Sequence, residues 1–380
     1  MKKTLIALSL AALSSAAMAD VTLYGTIKAG VETGRVKQTV GKQTTKSHTI
    51  TQIADFGSRI GFKGHENLGN GLNAIWKVES KTSVDGSDKG WGNRQAYIGL
   101  ETTAGTIRAG KIPTQLDDMD KVDAWEYSNN ALGLGIYTRT GQKIVSVRYD
   151  SPVFAGFSAN VQFTPRDNAV NVIRGVGQTS GRADRDGAKD NAGYYLGLNY
   201  ENSGFFAQYG FGYRKAGYVG TNKRTGKSEN KSAQAHRVEA GYDANNLFVG
   251  VGYQYTNGWD SINSYSARIH GDIDDYNTIT KNGATDRSAG VKTHEVAVTG
   301  SYSLGNITPR ATYAHGFKVK GKNLSREEKN ATEYNQVIVG ADYDFSKRTT
   351  AFAQAGWLRA GKKDYKTETT AGLVGLRHKF

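Results

Sequence analysis

Five carboxylates crowd one short stretch of this chain: Asp117, Asp118, Asp120, Asp123 and Glu126, with Trp125 and Tyr127 beside them as possible anchors. Their spacing suits electrostatics rather than proton transfer or metal binding. Held against cations in a confined aqueous space, such a cluster sets up a transverse field that orients water and sorts ions by charge. On an outer surface it would be an ordinary solvated acidic loop.

Candidate cations alternate with apolar residues. Arg59 and Lys63 oppose Ile60 and Phe62; Lys77, Glu79 and Lys81 oppose Trp76 and Val78; Arg148 opposes Val147 and Tyr149. In an extended strand successive side chains point to opposite faces. If the apolar face meets lipid, the charges must face water, because a cation on the lipid face costs about 2 to 4 kcal/mol at mid-bilayer.

Other chemistry is poorly supported. The histidines include no metal-binding pair at helical spacing, and no serine sits in a Gly-x-Ser-x-Gly elbow. The segment from Asp85 to Gly90 resembles a calcium loop, but Ala96 stands where the closing glutamate belongs. Asp272, Asp274 and Asp275 could hold a divalent ion only loosely. The sequence therefore predicts no enzyme activity, no metal site and no cofactor.

The elements that must position these charges are strands. Leu247, Val249, Val251, Tyr253 and Tyr255 alternate with Gly250, Gly252 and Gln254; Ala311, Tyr313 and Phe317 oppose Thr308, Arg310 and Thr312. Period two over such lengths indicates half-apolar strands. The last strand places Val374, Leu376, His378 and Phe380 on one face and Leu373, Gly375, Arg377 and Lys379 on the other. It ends on an aromatic carboxy terminus, Phe380, read as an assembly signal for an outer-membrane barrel.

Short turns fall at residues 66–71, 102–105, 150–156, 201–204, 243–246, 305–306 and 346–348, rich in the glycine, asparagine and aspartate that tight hairpins require. Longer polar segments fall at 35–55, 83–91, 112–143, 166–191, 214–233, 256–291, 318–332 and 361–368. Seven short turns alternating with eight long loops predict an all-β chain of sixteen antiparallel strands closed as a transmembrane β-barrel, with short periplasmic turns and eight long external loops. A barrel of that size encloses water rather than a packed core.

Compartment and composition agree. Lys2 and Lys3, an apolar run and Ala17-Met18-Ala19 before Asp20 make residues 1–19 a cleaved signal peptide. Residues 20–380 then form one domain. No later segment approaches the roughly 20 apolar residues of a spanning helix, and a mean hydropathy of −0.54 fits a barrel with a wet lumen. The absence of cysteine means no disulfide framework, while 47 glycines and 21 tyrosines against 4 prolines suit long strands with aromatic girdles. The net charge of +14 is dispersed, and no nucleic-acid module accompanies it.

The segments DVTLYGTIKAG (20–30), SRIGFKG (58–64), ENLGNG (66–71), GWGNRQ (90–95), SVRYDSP (146–152), PRATYAHGF (309–317), YDFSKR (343–348) and GLRHKF (375–380) together resemble the Gram-negative general porins, most closely the neisserial type. The resemblance implies a homotrimer of sixteen-stranded barrels in the outer membrane of a Gram-negative bacterium. It also implies that the third long loop, 112–143, folds inward to narrow the pore, and it adds Arg94 and Arg108 to the cationic wall. The third loop lacks the Pro-Glu-Phe-Gly-Gly run of enterobacterial porins, and the fourth to sixth loops are peculiar to this chain.

The expected function is passive diffusion of ions and small hydrophilic solutes through a water-filled channel of weak charge selectivity, leaning to anions. Alternatives on the same barrel are a solute-specific channel, although no aromatic run lines one inward face, and a loop-mediated adhesin. Expected partners are outer-membrane lipid and lipopolysaccharide. The basic loop at 214–233, carrying Arg214, Lys215, Lys223, Arg224, Lys227 and Lys231, could lie against the latter.

Overall fold

In the computed structural model, residues 20–85, 91–165, 192–221, 228–271, 290–322 and 324–380 are described. They form one antiparallel sheet closed on itself, a barrel of 16 strands. The first strand, β1 (Asp20–Val40), pairs with the last, β16 (Tyr365–Lys379), from Thr26↔Lys379 to Val40↔Tyr365. Closure removes the sheet edge, so each spanning backbone group finds its partner on a neighbouring strand.

The second strand, β2, crosses as three segments in series, Gln43–Lys46, Ile50–Asp55 and Arg59–Gly69, all paired to β1. Then follow β3 (Leu72–Lys81), β4 (Gln95–Thr102), β5 (Gly105–Pro113), β6 (Lys143–Asp150), β7 (Phe157–Thr164), β8 (Gly193–Asn202), β9 (Phe205–Thr221) and β10 (Ser228–Ala244). The circuit is completed by β11 (Leu247–Ser261), β12 (Gly290–Tyr302), β13 (Ile307–Gly316), β14 (Tyr334–Asp344) and β15 (Thr349–Lys362), each bonded to its sequence neighbour.

Alternation sets the two faces. Outward residues are apolar and bare, with Ile98 66% and Val251 51% exposed, while their inward neighbours Tyr97 and Gln254 line the lumen. The predicted short turns are present. Asn70-Gly71 and Asn245-Asn246 place both central residues at positive φ (52° and 74°, 54° and 64°), the geometry of a two-residue hairpin turn.

Several predicted long loops are instead hairpin continuations. Residues 35–40 and 43–46 remain paired, and so do Arg214↔Ala233 and Tyr218↔Lys231. Loss of apolar alternation there marks where the strand leaves lipid, not where pairing stops. Residues 1–19, and with them the predicted leader, lie outside the described residues, as do Lys223, Arg224, Lys227, Asp272, Asp274 and Asp275.

Phe380 seals the seam. Its backbone N–H donates to the Gly25 carbonyl at 3.1 Å, and the Gly25 N–H donates back to the Phe380 carbonyl at 3.0 Å. The ring lies over Gly25, where a Cβ would collide with it. Glycine at 25 thus gives the terminal aromatic its place on the outer wall.

Candidate functional site: the lumen and its inward loop

Between β5 and β6 the chain leaves the wall and folds into the barrel. Thr114 N–H donates to the Gln142 carbonyl at 2.8 Å, closing the base of this loop. One helical turn, α1 (Gln115–Asp118), opens it and a 3₁₀ turn at Tyr137–Thr140 ends it. The rest is irregular, and irregular backbone at membrane depth needs hydrogen-bond partners.

The wall supplies them. Arg237 donates to the carbonyls of Leu116 (2.9 Å), Met119 (3.0 Å) and Tyr137 (3.3 Å). Thr299 donates to the Val122 carbonyl at 2.6 Å, Gln354 to that of Leu132 at 2.9 Å, and Gln336 to those of Asn130 (2.6 Å) and Gly133 (2.8 Å). Arg310 donates to the Ala124 carbonyl, and the Trp125 indole donates to Thr312 at 2.8 Å. These hands belong to β10 and β12–β15.

Apolar packing adds to them. Val122, Leu132, Leu134, Ile136 and Tyr137 of the loop join one buried cluster with Ile338, Phe352, Leu358 and Leu373 of the wall. Gly356 makes room for the loop, since a Cβ there would strike the Ala131 carbonyl. Near the loop's end Arg139, fully buried, pairs with Glu295 at 2.5 Å and Asp260 at 2.8 Å. The loop is therefore clamped along β10–β16 and absent from the wall of β2–β4.

Most acids of the loop are already engaged. Asp117 meets Lys143 at 2.5 Å, Asp118 meets Arg148 at 2.6 Å, and Glu126 meets Lys28 at 2.6 Å and Arg377 at 2.9 Å. Asp123 accepts from the Tyr127 hydroxyl at 2.9 Å and the Leu134 N–H at 3.2 Å, and burial pushes its carboxyl up to about 6. Burial also raises the Asp118 carboxyl, against the lowering pull of Arg148. Asp120 is exposed and has no cationic partner among the described residues.

The predicted cations divide into two groups. Lys77 and Arg94 converge on one carboxylate, Glu79, at 3.4 and 2.8 Å, which also accepts from the Tyr24 hydroxyl at 2.9 Å. Arg108 is held by Asp150 at 2.6 Å and stacks over Tyr97, and Arg148 binds Asp150 as well as Asp118. By contrast Arg59, Lys63 and Lys81 form no ion pair among the described residues. All three share the inward face: Arg59↔Lys81 and Lys63↔Lys77 are cross-strand partners, and Arg59 is opposite inward Thr26.

Sequence reasoning missed Lys28, Arg139, Arg237 and Arg377. Lys28 was legible, since Tyr24, Thr26, Lys28 and Gly30 alternate with Leu23, Ile27 and Val31. Arg139 and Arg237 carried no local signal, because their partners lie in distant strands.

A sequence profile described as Gram-negative porin matches residues 28–380. The chain is 51% identical to the major outer membrane protein P.IB of Neisseria sicca and 46% identical to that of Neisseria lactamica, with all of both chains covered in each case. Among solved structures it superposes on an anion-selective porin from Comamonas acidovorans (TM-score 0.61, 18% identity, 95% of this chain and 100% of that one). It also superposes on Salmonella typhi OmpF in complex with daunomycin (TM-score 0.60, 20% identity, 95% and 98%). At that identity the structures speak for the fold. Gram-negative porins form trimers. A closed, water-lined cylinder with an inward third loop and full-length relatives of this kind has one assignment: the chain belongs to the Gram-negative porin family, channels of the outer membrane rather than enzymes.

Proposed function

We propose that this porin passes small hydrophilic solutes and ions by passive diffusion with a preference for anions, set in the lane between the inward loop and the wall of β2–β4. The observation that carries this reading is the imbalance of unpaired charge. Arg59, Lys63 and Lys81 face the lumen with no acid partner, whereas Asp120 stands alone among the loop carboxylates. A charged lining with low-dielectric walls raises the local concentration of counter-ions, so the excess draws anions. Asp117, Asp118, Asp123 and Glu126 shape the loop and supply the opposite pole of a transverse field with Lys77, Arg94, Arg108 and Arg148.

The working unit is a homotrimer of the 20–380 barrel, bedded in outer-membrane lipid and lipopolysaccharide, with Phe380 directing assembly. The zero-current potential across a planar bilayer under a KCl gradient tests the selectivity. A sign showing chloride preference supports the reading, and potassium preference refutes it.

A further inference from the structure

Lys292 and Lys320 stand directly opposite each other where β12 meets the segment beyond β13. The Lys292 N–H donates to the Lys320 carbonyl at 2.8 Å and the Lys320 N–H donates back at 3.0 Å. Directly paired residues send their side chains from the same face of a sheet. That face is the outer one, because Thr293 and Glu295 point into the lumen and Lys292, His294, Val296 and Val298 alternate with them. Both lysines are exposed, and neither has an ion pair among the described residues. Like charges placed directly opposite disfavour the pairing they sit on, so an anion between them would relieve a built-in strain.

Towards the membrane the surface changes in order. Below the lysines is His294, its Nδ1 2.7 Å from the Tyr253 hydroxyl and its ring 5.0 Å from that of Tyr255. The exposed ring of Phe317 belongs to the same level, its N–H donating to the His294 carbonyl at 2.9 Å. Beneath come the bare aliphatic pair Val251↔Val298. Cations, then imidazole and phenols, then aliphatics is the sequence of surfaces that an anionic amphiphile presents in reverse. Lysines can extend along such a surface and keep their heads in water, and basic pockets at a membrane interface take anionic head groups.

We infer that this face of β11–β13 binds a phosphate-bearing glycolipid of the outer leaflet. Its phosphate sits between the Lys292 and Lys320 ammonium groups, its sugar on the His294–Tyr253 pair, and its acyl chains along Val251 and Val298. The inference deepens the reading of the lipid partner given above and is independent of the pore's selectivity.

The test is native mass spectrometry of the detergent-folded trimer incubated with diphosphoryl lipid A. K292Q/K320Q is expected to retain roughly tenfold less lipid or worse, as the loss of two membrane-proximal lysines predicts, while its single-channel conductance stays that of the parent. The periplasmic-end variant K347Q is expected to retain lipid normally. Should the double variant not insert, K292Q and K320Q singly carry the same test, each with a loss of roughly fivefold. Undiminished retention by the lysine variants, equal retention of dephosphorylated lipid A, or displacement of lipid by equimolar inorganic phosphate, which would mark a site for soluble anions, would each overturn the assignment.

Discussion

The two halves of the lumen wall are built from the same alternation and do opposite work. Along β10–β16 the inward positions carry Gln254, Gln336, Gln354, Thr299 and Arg237 interleaved with Ile338, Phe352, Leu358 and Leu373, and the third loop is pressed onto them. Along β2–β4 the inward positions carry Arg59, Lys63, Lys77 and Lys81 with no loop above them. One wall holds structure and the other holds charge. A porin can therefore change its selectivity on the bare wall without disturbing what keeps the loop in place.

That division can be broken most severely from the clad side. Arg139→Ala leaves Glu295 and Asp260 buried without their counter-ion, a loss of about 3 to 5 kcal/mol. Urea-dependent loss of heat-modifiable gel mobility would show it, and the loop's freed end should make the single-channel current noisy. Leu132→Ala, which empties a fully buried loop site against the wall, is expected to cost about 2 to 5 kcal/mol in the same assay while leaving ion preference unchanged.

Acid sharpens the comparison. The Asp123 carboxyl, raised to about 6, is mostly charged at pH 7 and mostly neutral at pH 5. Acidification across that interval removes one negative charge from the loop and none from the wall, so chloride preference should rise. Asp123→Asn should show the acid value at both pH values. The stability sign runs the same way: a raised carboxyl contributes most below its unfolded value and loses that contribution as pH climbs through about 6, so the loop is held slightly less firmly at neutral pH.

The smallest effect concerns the mouth. His270 closes the helix α2 (Ile262–His270), with Nε2 2.7 Å from the Ala331 carbonyl and Nδ1 2.9 Å from the Thr367 hydroxyl. Burial holds this imidazole down at about 4. Its contribution is complete above the ordinary histidine range near 6.5 and is lost as pH falls through about 4. Protease cleavage within α2 should therefore accelerate between those values in the parent and be insensitive to pH in His270→Gln.

Much of this was legible in the chain because barrels obey local rules. Period two identified the strands, turn residues such as Asn70-Gly71 and Asn245-Asn246 set the periplasmic hairpins, and charges opposite Ile60, Phe62 and Val78 named the wall. Two things were not legible, for different reasons. Strand ends beyond the membrane lose apolar alternation while keeping their hydrogen bonds, so residues 35–46 and 214–221 looked like loop. The footprint of the inward loop is non-local, yet a trace of it exists: Ile338, Leu358 and Leu373 occupy inward positions where a water-filled lumen has no use for them. Apolar residues on the wet face of a barrel strand mark where something packs. The acids of the loop misled in one respect, since four of the five are committed to holding the loop and only Asp120 is free to act on passing ions.

The most direct measurement is the zero-current potential of the triple charge reversal R59E/K63E/K81E beside the parent, under the same KCl gradient and at matched conductance. If the bare wall sets selectivity, the parent shows chloride preference and the variant shows potassium preference. An unchanged potential in the variant would contradict the account, because selectivity would then reside in the loop or the mouth.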